Sequence, residues 1–121
     1  MVYKITPVPK PRQTRRDKWA KRPPVMRYRE FANQVRASGL TYLPGDHVIF
    51  YLPMPQSWPK KKRIEMTGKP HLQAPDTDNI FKALGDALYE NDSHIWKISA
   101  EKRWAEDGSI KIVQKANRRY K

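Results

Sequence analysis

Apolar residues between positions 26 and 38 recur at helical spacing. Tyr28, Phe31, Ala32 and Val35 fall at i, i+3, i+4 and i+7 and so share one stripe. The pattern predicts a helix over Met26–Ser38, with Gly39 suited to the left-handed position after a helix end. A second helix is predicted over Asn79–Glu90, where Ile80, Ala83, Leu84, Ala87 and Leu88 form a core-facing stripe. Elsewhere the period is two. Val2–Thr6 reads as a short strand with Tyr3 and Ile5 on one face, ended by Pro7, Pro9 and Pro11. Asp46–Met54 carries Val48, Phe50, Leu52 and Met54 on one face and Ile49 and Tyr51 on the other, as a central strand does. Ile95–Ala105 alternates Trp96, Ile98, Ala100 and Trp104 with Lys97, Ser99, Glu101 and Arg103. Asp107-Gly108 is a hairpin-turn signal, and Ile110–Val113 reads as the returning strand.

Three segments follow neither period. Residues 10–24 read as an extended basic arm closed by Pro23-Pro24, residues 55–75 as a long polar loop, and residues 114–121 as a frayed basic tail. The predicted order is β-α-β-loop-α-β-β. That is a small α/β (α+β) fold, a mixed β-sheet with two main helices, in one domain spanning residues 1–121.

Charge changes the picture. The 25 Lys+Arg against 12 Asp+Glu leave a net charge of +13, which calls for a polyanionic partner, nucleic acid before membrane. No apolar run approaches the ~20 residues of a spanning helix, and residues 1–11 lack the apolar centre of a signal peptide. An intracellular location without membrane insertion is expected. The absence of cysteine excludes disulfides, thiolate zinc sites and cysteine nucleophiles. His47, His71 and His94 have no paired metal spacing and read as structural, and no glycine-rich phosphate loop is present. Phosphate contacts are expected from Arg12, Arg15 and Arg16 in the arm and from Lys60, Lys61, Lys62, Arg63 and Lys69 in the loop, which has the makings of a flexible clamp. Trp19, Tyr42 and Trp58 are aromatics able to stack on unpaired bases, although packing is the commoner fate.

In so basic a chain the placement of the acids is informative. Asp76 and Asp78 flank Thr77 just before the second helix, and Asp92 follows its end. Two carboxylates at i and i+2 of an extended segment point to one side. Three together repel one another, and Mg2+, which prefers hard oxygen ligands, relieves that repulsion beside substrate phosphate. A metal-dependent nuclease is one reading. The other is that Asp78 or Thr77 caps the helix and the acids complement its dipole. Lys82 and Asp86 extend the stripe from Asp78, as a phosphate-binding lysine or as a surface ladder of alternating charge. A helix of about 11–12 residues rises roughly 16–18 Å, so Asp92 joins the other two only if the chain turns back.

Asp76-Thr77-Asp78-Asn79, then Lys82, Asp86-Ala87-Leu88 and Asn91-Asp92, resembles the RusA-type Holliday junction resolvases over about residues 75–104. The resemblance implies a Mg2+-dependent endonuclease, with Mn2+ able to replace Mg2+. It implies Asp76, Asp78 and Asp92 as the metal-binding catalytic acids and Lys82 as the supporting catalytic lysine. It also implies a homodimer that nicks two opposed strands of four-way junction DNA in recombination and repair, and a phage or prophage origin. Asn91 departs from the pattern, since relatives often carry an acid there. Two rivals stand beside this reading: a non-catalytic basic nucleic-acid-binding protein, and a metal nuclease acting on other branched or single-stranded DNA.

Overall fold

The structure is a computed structural model that describes residues 1–11 and 23–115. Its elements are β1 (Val2–Tyr3), α1 (Pro23–Ser38), β2 (His47–Pro53), α2 (Lys60–Met66), α3 (Thr77–Leu88), β3 (Ser99–Ala105) and β4 (Ser109–Val113). The strands form one mixed sheet in the order β1-β4-β2-β3. β2 runs parallel to β3 and antiparallel to β4, and β1 is antiparallel to β4. The fold is the small α+β domain expected, and β2 is central, as its two apolar faces indicated.

One face of the sheet carries the core. Val48, Phe50 and Leu52 of β2 meet Ile110 and Ile112 of β4, with Phe31, Ala32 and Val35 of α1 and Ile80, Ala83, Leu84 and Ala87 of α3 above them. Both helical stripes read from the sequence are therefore the buried faces. Gly39 has φ 77°, the left-handed conformation foreseen after α1. Arg36 Nε donates to the Ala87 carbonyl at 3.0 Å, so a side chain of α1 satisfies an orphan acceptor at the end of α3. The opposite face is mixed, with Ile49 and Tyr51 of β2 beside polar residues. There His47 bonds Ser99 (2.6 Å) and Glu101 (2.5 Å), and Arg103 donates to the same Glu101 carboxylate.

Several expected boundaries move, each for a physical reason. Pro23 and Pro24 open α1 instead of closing the arm, because proline suits a first turn whose amides have no intrahelical acceptor. β1 stops at Tyr3, although Ile5 is still buried. The expected loop 55–75 contains a helix, α2, so Lys60–Arg63 sit on helical backbone and not on a flexible clamp; the helices number three. A ring contact between Trp58 and Trp104 (4.8 Å between centroids) anchors the start of α2 against the sheet. β3 begins at Ser99, not at Ile95. The Lys97 carbonyl accepts from the Gly45 amide at 2.6 Å, outside the strand register, and Trp96 turns out to solvent with 79% of its surface exposed.

The largest correction concerns the last two strands. They do not form a hairpin, because β2 lies between them. β3 pairs with β2 from Ser99 to Ala105, and residues 106–108 then pass over the end of β2 to deliver β4 to its other side. Pro53 ends β2 just where this crossing occurs. The Asp107-Gly108 signal marks a tight turn correctly but not the pairing of the strands beside it. Gly108 is needed because the link lies against Thr6: a Cβ there would stand 2.4 Å from Thr6 Oγ1 and 2.7 Å from its Cα. Gly108→Ala must displace backbone and is expected to cost about 1–3 kcal/mol, the scale of overpacking, read as a lower urea midpoint.

Candidate active site

α3 starts at Thr77, two residues before the expected Asn79, which sets the geometry of the acids. Asp76 is the N-cap residue (φ −69°, ψ 147°, extended), while Asp78 lies inside the first turn. The pair therefore straddles the helix start instead of preceding it. Asp76 makes no side-chain capping hydrogen bond. That bears directly on the capping alternative: the carboxylate best placed to cap does not do so, and it remains exposed with Asp78 at the positive end of the helix dipole.

The approach to Asp76 is held from β3. Residues 68–71 run beside the outer edge of this strand. The His71 amide donates to the Lys102 carbonyl (3.1 Å), the Trp104 amide to the Lys69 carbonyl (2.9 Å) and the Gly68 amide to the Trp104 carbonyl (2.8 Å). The Lys102 ammonium then donates to the carbonyls of Gln73 and Pro75, the latter at 2.7 Å. One lysine thus fixes the backbone immediately before Asp76. His71 is buried and stacks on Trp104, 4.0 Å between centroids. Burial first, and then the charge of Lys102, hold its imidazole below the usual histidine range.

Further along α3, Lys82 is exposed one turn beyond Asp78. The surface-ladder reading does not hold for Asp86, which pairs with Lys10 (2.9 Å) from the proline-rich segment after β1. Lys10 also lies 4.5 Å above the Tyr28 ring. Burial would lower the Lys10 pKa, but the hydrogen bonds and charges of Asp86 and Tyr28 outweigh it and raise the ammonium above its ordinary value. Among the described residues Lys82 takes part in no ion pair.

Beyond α3 the chain does turn back. Tyr89 ends the helix in an extended conformation, and its hydroxyl donates to the Tyr42 carbonyl at 2.5 Å. Asn91 Oδ1 accepts from the Ser93 amide (2.9 Å), and the Asp92 carbonyl accepts from the Ile95 amide (2.9 Å). This compact turn brings Asp92 back over Gly85, where an added Cβ would lie 3.6 Å from Asp92 Oδ2 and 3.2 Å from Tyr42 Oη. Asp92 therefore returns to the level of Gly85, about 10 Å along the axis from Asp78 for seven residues of rise. Among the described residues no three His, Cys, Asp or Glu side chains are grouped closely enough to hold a metal ion.

Gly85 was missed in the sequence, though a signal was there. A glycine inside a helix gives up roughly 1 kcal/mol relative to alanine, and such a position usually marks a close approach. Tyr42 is fully buried, so it cannot stack on a base. Trp58 is half-buried between Trp104 and the Lys62 ammonium, which sits 4.1 Å from its ring. Lys60, Lys61 and Lys69 are exposed. Arg63 donates to Glu106 (2.7 Å) and to the Pro55 carbonyl (2.8 Å). Arg12, Arg15, Arg16 and Trp19, and the basic tail from residue 116, lie outside the described residues.

Comparison with protein families matches residues 3–113 to the family described as Endodeoxyribonuclease RusA. The chain belongs to the RusA family. It is thus an endodeoxyribonuclease, hydrolysing phosphodiester bonds, of a family that resolves Holliday junctions. No match was found among curated proteins or among solved structures. Among the described elements the matched range takes in all but Val2 of β1, together with the acids and Lys82. No helix among the described residues is long and apolar enough to cross a membrane.

Lys102→Met removes the tie to Gln73 and Pro75. It is expected to cost about 1–2 kcal/mol in urea unfolding, as a charge-assisted hydrogen bond does. It should also slow strand nicking, measured on an end-labelled junction, because Asp76 loses its anchored approach.

Proposed function

We propose that the protein is a Mg2+-dependent, structure-selective endonuclease that nicks two opposed strands of four-way junction DNA in recombination and repair. Asp76 carries the reading: it occupies the N-cap of α3 yet makes no capping hydrogen bond, beside an equally exposed Asp78. The donor set fits the ion in chemistry. All three carboxylates are hard oxygen ligands, they are exposed, and substrate phosphate can complete the shell. Asp76, Asp78 and Asp92 are the residues that would hold Mg2+, or Mn2+ in its place. When bound, such an ion lowers the pKa of an attacking water and neutralises charge in the transition state.

The chain's own residues supply the rest. Lys82, one turn from Asp78, holds the scissile phosphate or steadies the leaving oxygen. The amides in the first turn of α3 have no intrahelical acceptor and favour an anion there. Lys60, Lys61 and Lys69, together with Lys62, Arg63 and the arm residues Arg12, Arg15 and Arg16, take backbone phosphates. Junction shape rather than base sequence sets affinity. A two-fold substrate cut twice suits two sites related by a two-fold axis, hence a homodimer. The nuclease domain takes in residues 1–121. Its work lies with intracellular DNA, in a phage or prophage setting.

Asp76→Asn, Asp78→Asn and Asp92→Asn are each expected to reduce Mg2+-dependent nicking by ~100-fold or more while leaving junction binding intact at fixed salt. Nicking at the wild-type rate by all three would remove the site. A panel of linear duplex, flap, fork and four-way junction tests the substrate, and preference for any substrate but the junction would replace it. Millimolar Mg2+ should raise the melting temperature of the free protein through linkage, and the double variant Asp76→Asn/Asp78→Asn should lose that shift.

A further inference from the structure

Tyr42 is placed as no filler residue would be. Its ring packs against Phe81 (5.3 Å between centroids) and edge-on to Tyr89 (5.4 Å), an environment phenylalanine would satisfy. Its hydroxyl is fully buried and has no hydrogen-bond partner among the described residues. A buried hydroxyl left unpaired destabilises a fold, so its presence asks for a use. The oxygen lies beside Gly85, where an added Cβ would stand 3.2 Å from it and 3.6 Å from Asp92 Oδ2. A phenol hydroxyl is a hydrogen-bond donor, and Asp92 and Asp86 are the carboxylates near it. Of the two carboxylates, Asp86 is already paired with Lys10.

We propose that Tyr42 is a positioning residue for Asp92, its hydroxyl donating to one carboxylate oxygen so that the other faces the ion. The inference rests on the reading of Asp92 as a metal-holding carboxylate. A ligating carboxylate needs such an outer hydrogen bond to fix its orientation, and losing one typically weakens metal affinity by ~10–100-fold. Gly85 is part of the same arrangement, since a Cβ there would crowd Tyr42 Oη at 3.2 Å and stand in contact with Asp92 Oδ2 at 3.6 Å.

The test is Tyr42→Phe in the full chain, which removes only an oxygen that has no partner. Its metal-free melting temperature should equal or exceed that of wild type. Its affinity for Mn2+, by titration calorimetry, should fall about 10-fold. Its nicking curve should move to higher Mg2+ while the rate at saturation recovers. Gly85→Ala is the second variant, and the same loss of Mn2+ affinity with junction binding retained is expected. Wild-type Mn2+ affinity in either variant overturns the proposal, as does a marked fall in the metal-free melting temperature of Tyr42→Phe, which would reveal a structural bond. Asp92→Asn separates the two levels. If it is inactive while Tyr42→Phe matches wild type, only the role of Tyr42 fails. If Asp92→Asn binds Mn2+ and cuts normally, the metal-site reading fails and takes this inference with it.

Discussion

Burial of one face of α3 against the sheet is the constraint on which the molecule turns. Ile80, Ala83 and Leu84 are wholly removed from solvent, and Ala87 nearly so. A buried Ile or Leu side chain contributes about 1.5–3 kcal/mol, whereas an exposed ion pair is worth ~0–1 kcal/mol. The apolar stripe therefore decides how α3 is rotated, and the charged stripe takes the direction left over. Asp78, Lys82 and Asp86 recur every four residues and ride on that rotation. Polar chemistry at this surface is thus oriented by hydrophobic packing beneath it.

The helix alone does not arrange the acids, because one precedes it and one follows it. Each is steadied by a different part of the fold. Before α3, Lys102 reaches from β3 to the backbone ahead of Asp76. After it, Tyr89 clasps the segment around Tyr42, and the Asn91 and Asp92 turn folds the chain back upon the helix. Lys10, from the proline-rich segment, pairs with Asp86 and so sets this carboxylate apart from the others. Like acids along one helix thus differ in what packs over them.

What could be read from the chain divides along physical lines. Periodicity depends on local geometry, and both long helices, Gly39 and the central character of β2 were legible for that reason. Asp76, Asp78 and Lys82 could be singled out because their spacing is short and their number small in so basic a sequence. Non-local pairing could not be read. Asp107-Gly108 looks the same whether its flanking strands pair with each other or with a third strand between them. α2 was hidden because Lys60–Arg63 carries no apolar stripe, and none of its residues is buried. Trp96 matched an alternating pattern by chance, its segment being fixed instead by the backbone bond from Gly45 to Lys97. The return of Asp92 over Gly85 depended on a turn whose direction no spacing encodes.

The segment 68–71 has an effect beyond steadying the path to Asp76. A sheet ends in two rows of unsatisfied amides and carbonyls, and such rows recruit foreign strands into aggregates. Here one border strand is only two residues long, and the other is shielded by backbone bonds from Gly68, Lys69 and His71. Neither border offers the long, flat template on which intermolecular β-assembly grows.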